Sequence, residues 1–138
     1  MPLFGAQPRT HIANASTFPI LAKVDTNVNP EFNLNVSSKV NLSYKDNLNK
    51  GIQAGFSVIQ PNDYMVFEPA VGLFDGSWFK RATVYITVHS MQGDNIVPIC
   101  DNYNLKDNSS IIITQNNSVR RTEMGTIWTG IDGINYKK

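Results

Sequence analysis

Charged side chains are scarce in this sequence of 138 residues. Lys, Arg, Asp and Glu make up 17% of it and leave a formal net charge of +1, whereas about 25% is usual for a soluble domain. Sixteen asparagines, together with serine and threonine, therefore supply much of the polar surface. Such an amide-rich surface favours contact with a glycan or another subunit over electrostatic capture of a nucleic acid, so we expect no nucleic-acid partner.

Cysteine and histidine are nearly absent. Cys100 is the single cysteine, which excludes an intrachain disulfide and a CxxC metal or redox motif. His11 and His89 are the only imidazoles, too few for a zinc site. The sequence also lacks a GxGxxG pattern and a P-loop. We therefore expect no metal ion, no cofactor and no enzymatic activity.

Long apolar runs are missing as well. No window approaches the roughly 18 apolar residues of a transmembrane helix, and the N-terminus has neither the basic start nor the apolar run of a signal peptide. Two locations stay open, the cytoplasm or the outside of the cell after processing. The second is kept open by five Asn-x-Ser sequons. They begin at Asn14, Asn35, Asn41, Asn108 and Asn116.

Alternating apolar residues dominate the sequence instead. In residues 32–44, six of the seven even-numbered positions are apolar and none of the odd-numbered ones is, which predicts a strand with one buried face. A helical alternative exists, because apolar residues also recur every four positions. They are Val36, Val40, Tyr44, Leu48 and Ile52. We reject the helix because Asn, Ser and Val are poor helix formers, and we expect a turn at residues 45–51.

The rest of the chain continues this strand pattern. Residues 52–58 alternate again, and residues 81–89 are rich in β-formers with Val84, Ile86 and Val88 on the apolar face. Hairpins are predicted across Q-N-N-S, between residues 111 and 123, and across I-D-G, between residues 126 and 137. Eight to ten short strands without a convincing helix predict a single all-β domain over residues 1–138. We expect an antiparallel β-sandwich of jelly-roll or Greek-key type.

The most suggestive stretch for binding is the loop G-L-F-D-G-S-W-F-K-R at residues 72–81. Its aromatic and basic residues are Phe74, Trp78, Phe79, Lys80 and Arg81. Rings beside cations suit a membrane interface, a sugar or a protein partner, although the rings are equally suited to filling one end of the core. Our leading hypothesis is a non-enzymatic recognition module, lectin-like or cytolysin-like, that binds a glycan or a lipid headgroup through this loop.

Two alternatives accompany it. In the first, the protein is a self-assembling structural subunit, a homo-oligomer that pairs through its sheet edges and an Asn-rich strand face. In the second, it is a thiol enzyme, because Cys100 and His89 are expected on neighbouring strands and a base close to a nucleophile is what such an enzyme needs. A buried thiol and a surface histidine would explain the same residues without catalysis.

Basic pairs near the C-terminus complete the list of candidate contacts. Arg120–Arg121 and Lys137–Lys138 lie near Trp128 and Tyr136 in sequence and offer contacts to phosphates. In a nearly neutral chain, such pairs are also typical of an exposed sheet edge, where charge discourages unwanted strand pairing.

Overall fold

The structure is a computed structural model that describes residues 9–25, 43–68, 83–106, 109–123 and 125–137. These residues form one helix, α1 (Tyr44–Gln53), and eight strands. The strands are β1 (Thr10–Asn14), β2 (Ile20–Asp25), β3 (Ser57–Ile59), β4 (Asp63–Phe67), β5 (Thr83–Gln92), β6 (Asn95–Lys106), β7 (Ser109–Ile113) and β8 (Val119–Glu123). The chain is thus mostly β, as its alternating pattern predicts.

The strands form two four-stranded sheets. Sheet A has the order β4-β1-β7-β8, and sheet B has the order β3-β2-β5-β6. The pairing within them is antiparallel except between β1 and β7, which run parallel. The hairpin expected across Q-N-N-S is confirmed by the pairing of β7 with β8. Within the described ranges, neither sheet closes into a barrel.

Both sheets contribute to one buried cluster between them. Ile12, Ile111 and Ile113 enter it from sheet A, and Ile86 and Val88 enter it from sheet B. All five side chains are fully buried. Removal of this apolar area from water is the main force that holds two such sheets face to face. The predicted inward face of β5 is confirmed, because Val84 belongs to the same cluster.

The outer face of each sheet is covered by a different part of the chain. Helix α1 contributes Tyr44 and Leu48 to a second cluster, formed around Leu21 on the outer face of sheet B. A third cluster lies on the outer face of sheet A, where the segment 125–137 packs over Ala13. Helix α1 and this C-terminal segment therefore lie on opposite sides of the paired sheets.

Helix α1 corrects the sequence analysis, which expected a turn at residues 45–51 and a strand that included Tyr44. The helix begins after Ser43, whose hydroxyl accepts a hydrogen bond of 3.2 Å from the Asp46 amide. That bond satisfies one of the free N–H groups of the first turn. The four-residue spacing of Tyr44 and Leu48 was therefore the correct signal here, because both pack on sheet B, whereas Ile52 in the next turn is exposed. Residues 32–42 of the expected strand lie outside the described residues.

Candidate functional site

The loop expected to bind a ligand lies outside the described residues. Its five candidate residues are Phe74, Trp78, Phe79, Lys80 and Arg81. Their role in binding stays a prediction. The described residues contain a second surface that combines aromatic, basic and exposed apolar side chains. It is formed by residues 126–137, which we call the C-terminal hairpin, together with the adjoining strand β8.

The C-terminal hairpin is a short return of the chain, as expected across I-D-G. The Gly130 amide donates to the Ile134 carbonyl oxygen at 2.9 Å, and the Tyr136 amide donates to the Trp128 carbonyl oxygen at 2.8 Å. Gly133 has φ of +83°, a conformation that glycine adopts without steric cost. The Ile131 amide also donates to the Arg121 carbonyl oxygen at 2.9 Å. This last bond fixes the hairpin beside β8.

Packing against sheet A holds the hairpin from below. Ile127, Trp128 and Tyr136 pack onto a buried cluster of small and branched side chains. The cluster consists of Ala13, Ala15 and Ile112. The small side chains of the two alanines leave space above the outer face of the sheet, and the larger rings of the hairpin fill this space. The rings thus have a structural role on their inner side.

A hydrogen bond joins two polar side chains on the outer side of the hairpin. The Tyr136 hydroxyl donates to Asp132 Oδ2 at 2.6 Å, and the Ile134 amide donates to Asp132 Oδ1 at 3.0 Å. The Tyr136 hydroxyl, assisted by the Ile134 amide, lowers the pKa of Asp132, and the same hydroxyl–carboxylate bond raises the pKa of Tyr136. The guanidinium of Arg120 lies close enough to stabilise the charged form of both groups. The Asp132 carboxylate is therefore charged, and both of its oxygens accept hydrogen bonds within the hairpin.

Gly130 makes this arrangement possible. A Cβ at position 130 would come within 2.5 Å of Asp132 Oδ1 and 3.1 Å of Tyr136 Cε2. Both distances are shorter than ordinary van der Waals contact, so a side chain here would displace the bonded pair. Glycine at this position leaves room for the close approach of Asp132 and Tyr136.

Exposed cations and apolar side chains are found in the C-terminal hairpin and in β8 beside it. Lys137 Nζ lies 5.1 Å from the ring centroid of Trp128, within range of a cation–π interaction. Arg120 and Arg121 are exposed on β8 and project from opposite faces of this edge strand, Arg120 from the face that the hairpin covers. Ile131 and Ile134 flank the turn and are 60% and 53% exposed. We call these residues, with Tyr136, the hairpin surface.

Sequence reasoning found part of this surface. It noted the basic pairs and their nearness in sequence to Trp128 and Tyr136, and the fold brings Arg120, Trp128, Tyr136 and Lys137 together. Lys138 lies outside the described residues. The two exposed isoleucines were missed, although their positions on either side of Asp132–Gly133 were a usable signal, because residues that flank a tight turn are seldom buried.

Cys100 and His89, the two residues of the thiol-enzyme hypothesis, make no hydrogen bond with each other, because neither ring nitrogen of His89 has a partner. Cys100 packs against the cluster between the sheets, and its thiol lies 3.6 Å from the Ile86 carbonyl oxygen. Burial raises the pKa of this thiol to about 12. His89 lies on the other face of sheet B. Its ring centroid is 5.5 Å from that of Phe56, which belongs to the cluster under α1.

His89 also differs from its expected surface position. Its side chain is only 4% exposed, and both ring nitrogens are buried without a hydrogen-bond partner. Burial lowers its pKa, and the carboxylate of Asp101 opposes that change. Its alternation with Val88 correctly placed it on the outer face of β5, but that face is covered. The segment around α1 provides the cover through Phe56.

Three further observations bound the chemistry of the described residues. They contain no group of three or more His, Cys, Asp or Glu side chains that could hold a metal ion. Helix α1 has ten residues, and no helix in the described ranges is long and apolar enough to span a membrane. Comparison with family models, with curated proteins and with solved structures finds no match to this chain.

Proposed function

We propose that the protein is a non-enzymatic recognition module that binds a glycan or a lipid headgroup. Its two sheets would then form a β-sandwich of jelly-roll or Greek-key type that presents the binding surface. The observation that carries the proposal is the hairpin surface, where Lys137 lies 5.1 Å from the Trp128 ring and Arg120 lies beside Tyr136. Aromatic rings with adjacent cations are the groups that such ligands engage.

The chemistry of the described side chains supports a binding protein over an enzyme. A thiol with a pKa of about 12 is almost entirely protonated near neutral pH, and the thiolate is the reactive form. Cys100 packs against the cluster between the sheets, whereas the His89 ring lies against Phe56 in the cluster under α1. Asp132, the carboxylate with a lowered pKa, is held by Tyr136 and is poorly suited to accept a proton.

A self-assembling subunit is the alternative, and strand β4 favours it. This strand is at an edge of sheet A, and its outward residues Tyr64 and Val66 are each 43% exposed. An edge strand with exposed apolar side chains is suited to pairing with another copy. The molar mass of the purified protein, measured by light scattering across a wide concentration range, distinguishes a stable homo-oligomer from a monomer.

The recognition proposal is tested by NMR with the two tryptophans as reporters. The chain contains only Trp78 and Trp128, so its two indole N–H resonances can be assigned with one Trp→Phe variant. A glycan panel and soluble headgroups such as glycerophosphoserine are then titrated. A shift of the Trp128 resonance assigns binding to the hairpin surface, and a shift of Trp78 alone assigns it to the loop 72–81. If neither resonance moves with any ligand, recognition through these aromatic surfaces is refuted.

Replacement of one cation provides the matched comparison. Lys137→Gln removes the ammonium group over Trp128 and is expected to weaken binding at the hairpin surface. Lys50→Gln is the control, because Lys50 is exposed in the last turn of α1, on the opposite side of the molecule. Equal effects of the two substitutions would indicate a general charge effect and would count against a site at the hairpin.

A further inference from the structure

Two isoleucines stand out among the exposed side chains of the part of the chain that the structure describes. Ile131 is 60% exposed and Ile134 is 53% exposed, and they flank the same tight turn. Hydrogen bonds from Gly130 to Ile134 and from Ile131 to Arg121 hold the backbone of both residues in place. A fixed turn that presents two branched apolar side chains to solvent is a preorganised apolar contact.

Cations lie on both faces of the sheet edge beside this apolar contact. Arg120 pairs with Ile112 and lies on the outer face of β8, whereas Arg121 pairs with Ile111 and projects from the other face. Lys137 lies over Trp128. The nearby carboxylates are those of Glu123, which is exposed, and Asp132, which is bound to the Tyr136 hydroxyl at 2.6 Å. The hairpin surface therefore carries more positive than negative charge in a chain whose formal net charge is only +1.

The Trp128 ring favours a lipid over a sugar. One part of the ring packs on the cluster of sheet A, and Lys137 lies over it from outside. A stacking sugar would have to displace the lysine. A lipid headgroup would instead use the lysine as it stands, because an ammonium group attracts a phosphate, and Trp and Tyr rings are enriched at the level of the headgroups.

Resting on the recognition function proposed above, we propose that the hairpin surface docks on an anionic lipid bilayer. Ile131 and Ile134 enter the boundary between headgroups and acyl chains, while Arg120, Arg121 and Lys137 contact lipid phosphates and anionic headgroups. Apolar burial and electrostatic attraction reinforce each other in interfacial binding of this kind. The occupant is specified by the charge of the surface, which complements an anionic membrane.

Co-sedimentation of the full chain with vesicles tests this docking. We expect binding to vesicles of phosphatidylcholine with 30% phosphatidylserine, weak binding to phosphatidylcholine alone, and loss of binding as salt rises. Ile131→Asn with Ile134→Asn should lower the partition coefficient by about tenfold or more, because the inserted apolar area is lost. Ile52→Asn is the matched control, because Ile52 is 51% exposed on α1, at the opposite side of the molecule.

The charge contribution has its own pair of variants. Arg121→Gln with Lys137→Gln should lower the partition coefficient by roughly 25-fold, about fivefold for each cation. Lys45→Gln with Lys50→Gln removes two exposed cations from α1 and should have much less effect. Circular dichroism and thermal melting of each variant establish that it is folded before its binding is compared.

A third measurement locates the membrane contact. The Trp78→Phe variant keeps Trp128 as its single tryptophan, and brominated lipid should quench its fluorescence if the hairpin is inserted. Docking is overturned if the protein does not bind anionic vesicles, if Ile52→Asn acts as strongly as the hairpin pair, or if brominated lipid leaves the Trp128 fluorescence of the Trp78→Phe variant unquenched. Binding of soluble glycans or headgroups without vesicle binding would refute the lipid surface alone. Absence of both would refute the recognition function as well.

Discussion

Gly51 of α1 lies directly against Leu21 of β2, so close that a Cβ at position 51 would come within 2.5 Å of Leu21 Cδ1. Both residues are buried. The same helix is fixed at its other end, where the Tyr44 amide donates to Asp94 Oδ1 at 2.7 Å and Asn47 Nδ2 donates to the Asp94 carbonyl oxygen at 3.1 Å. Close contact in one turn and hydrogen bonds in another hold the helix on sheet B.

Substitution of Gly51 tests this contact. Alanine gains about 1 kcal/mol of helix propensity over glycine, whereas overpacking costs about 1–3 kcal/mol. We therefore expect Gly51→Ala to be destabilising by about 1 kcal/mol and Gly51→Val to be clearly worse, as measured by urea denaturation. A stabilising Gly51→Ala would show that the helix does not lie against Leu21.

A double-mutant cycle separates packing from propensity. Leu21→Ala alone should cost about 2–5 kcal/mol, because it leaves a cavity in a fully buried position. In the Leu21→Ala background, Gly51→Ala has room for its methyl group and should be stabilising. Additive effects of the two substitutions would contradict direct contact between the residues.

Helix α1 also shows where local sequence reasoning fails. Its composition is poor for a helix, and the alternation before it favoured a strand, yet the four-residue spacing of Tyr44 and Leu48 carried the correct signal. Tertiary packing of one helical face can outweigh weak propensities. Burial against sheet B is a non-local energy, so the sequence pattern alone could not decide between the two periods.

Acidification should destabilise the protein through its two histidines. Burial lowers the pKa of both His11 and His89 in the folded state, whereas the unfolded value is near 6.5. The unfolded chain therefore binds more protons below that pH. Stability is fully present above pH 6.5 and falls as the pH drops towards the folded pKa values, by up to about 1.4 kcal/mol per pH unit for each histidine.

Single substitutions assign the two contributions. His89→Leu removes two buried, unpaired ring nitrogens and should increase stability near pH 7.5 by about 1 kcal/mol. This substitution leaves the charged groups around His89 in place. They are Asp101 and Lys23, whose ammonium lies 5.9 Å from the Phe56 ring centroid. His11→Leu should decrease stability, because His11 Nε2 is bonded to Thr122 Oγ1 at 3.0 Å.

Urea denaturation of each variant between pH 7.5 and 5 gives the free energy of unfolding at pH 7.5 and its dependence on pH. Each substitution should remove one histidine's share of the acid dependence, whatever its effect at pH 7.5. An unchanged pH slope in His89→Leu would mean that His89 does not titrate between the folded and unfolded states.

Cys100 should react slowly in the folded protein. With burial raising its pKa to about 12, the thiolate fraction at pH 8 is about a thousandfold lower than for an unperturbed cysteine. Iodoacetamide labelling followed by mass spectrometry should therefore be slow in buffer and fast in urea. His89→Leu should leave the rate unchanged, whereas a drop in rate would revive the Cys–His pair.

The sequence predicted the β character, the inward face of β5 and the hairpin of β7 with β8, because each depends on neighbours in sequence. It could not predict the parallel pairing of β1 with β7, which the His11 amide reinforces with a hydrogen bond of 3.0 Å to Ser110 Oγ. Nor could it predict that Phe56, in the segment around α1, covers the His89 side chain. Alternation identifies the two faces of a strand, but the segment that lies on a face is determined by the whole fold.

Asn14 lies in an Asn-x-Ser sequon, but the fold gives it a structural role. Its side chain is fully buried. Its Nδ2 donates to the carbonyl oxygens of Phe18 at 2.8 Å and Ile59 at 2.9 Å, and its Oδ1 accepts from the amide and the hydroxyl of Ser16 at 3.0 and 2.5 Å. These bonds join the end of β1 to the following turn and to β3, and they leave no room for a glycan.

Substitution of Asn14 should therefore destabilise the protein, and the size of the loss should depend on which residue is introduced. Asn14→Ala leaves several buried partners unpaired, so we expect a loss of about 2–4 kcal/mol in urea denaturation. Asn14→Asp should be worse at pH 7, because a carboxylate cannot donate and faces two carbonyl oxygens. Those oxygens and burial would raise its pKa. The gap between the Asp and Ala variants should consequently narrow from pH 7 to pH 5, since protonation restores one donor.

Asn116 provides the comparison, because it begins another sequon but is exposed in the turn between β7 and β8. Asn116→Ala should change stability by less than about 0.5 kcal/mol, as is usual for an exposed position. If Asn14→Ala were as mild as Asn116→Ala, the hydrogen bonds at the end of β1 would contribute little to the fold. If Asn14→Asp instead matched Asn14→Ala at every pH, the two donor contacts to Phe18 and Ile59 would not be what makes asparagine necessary there.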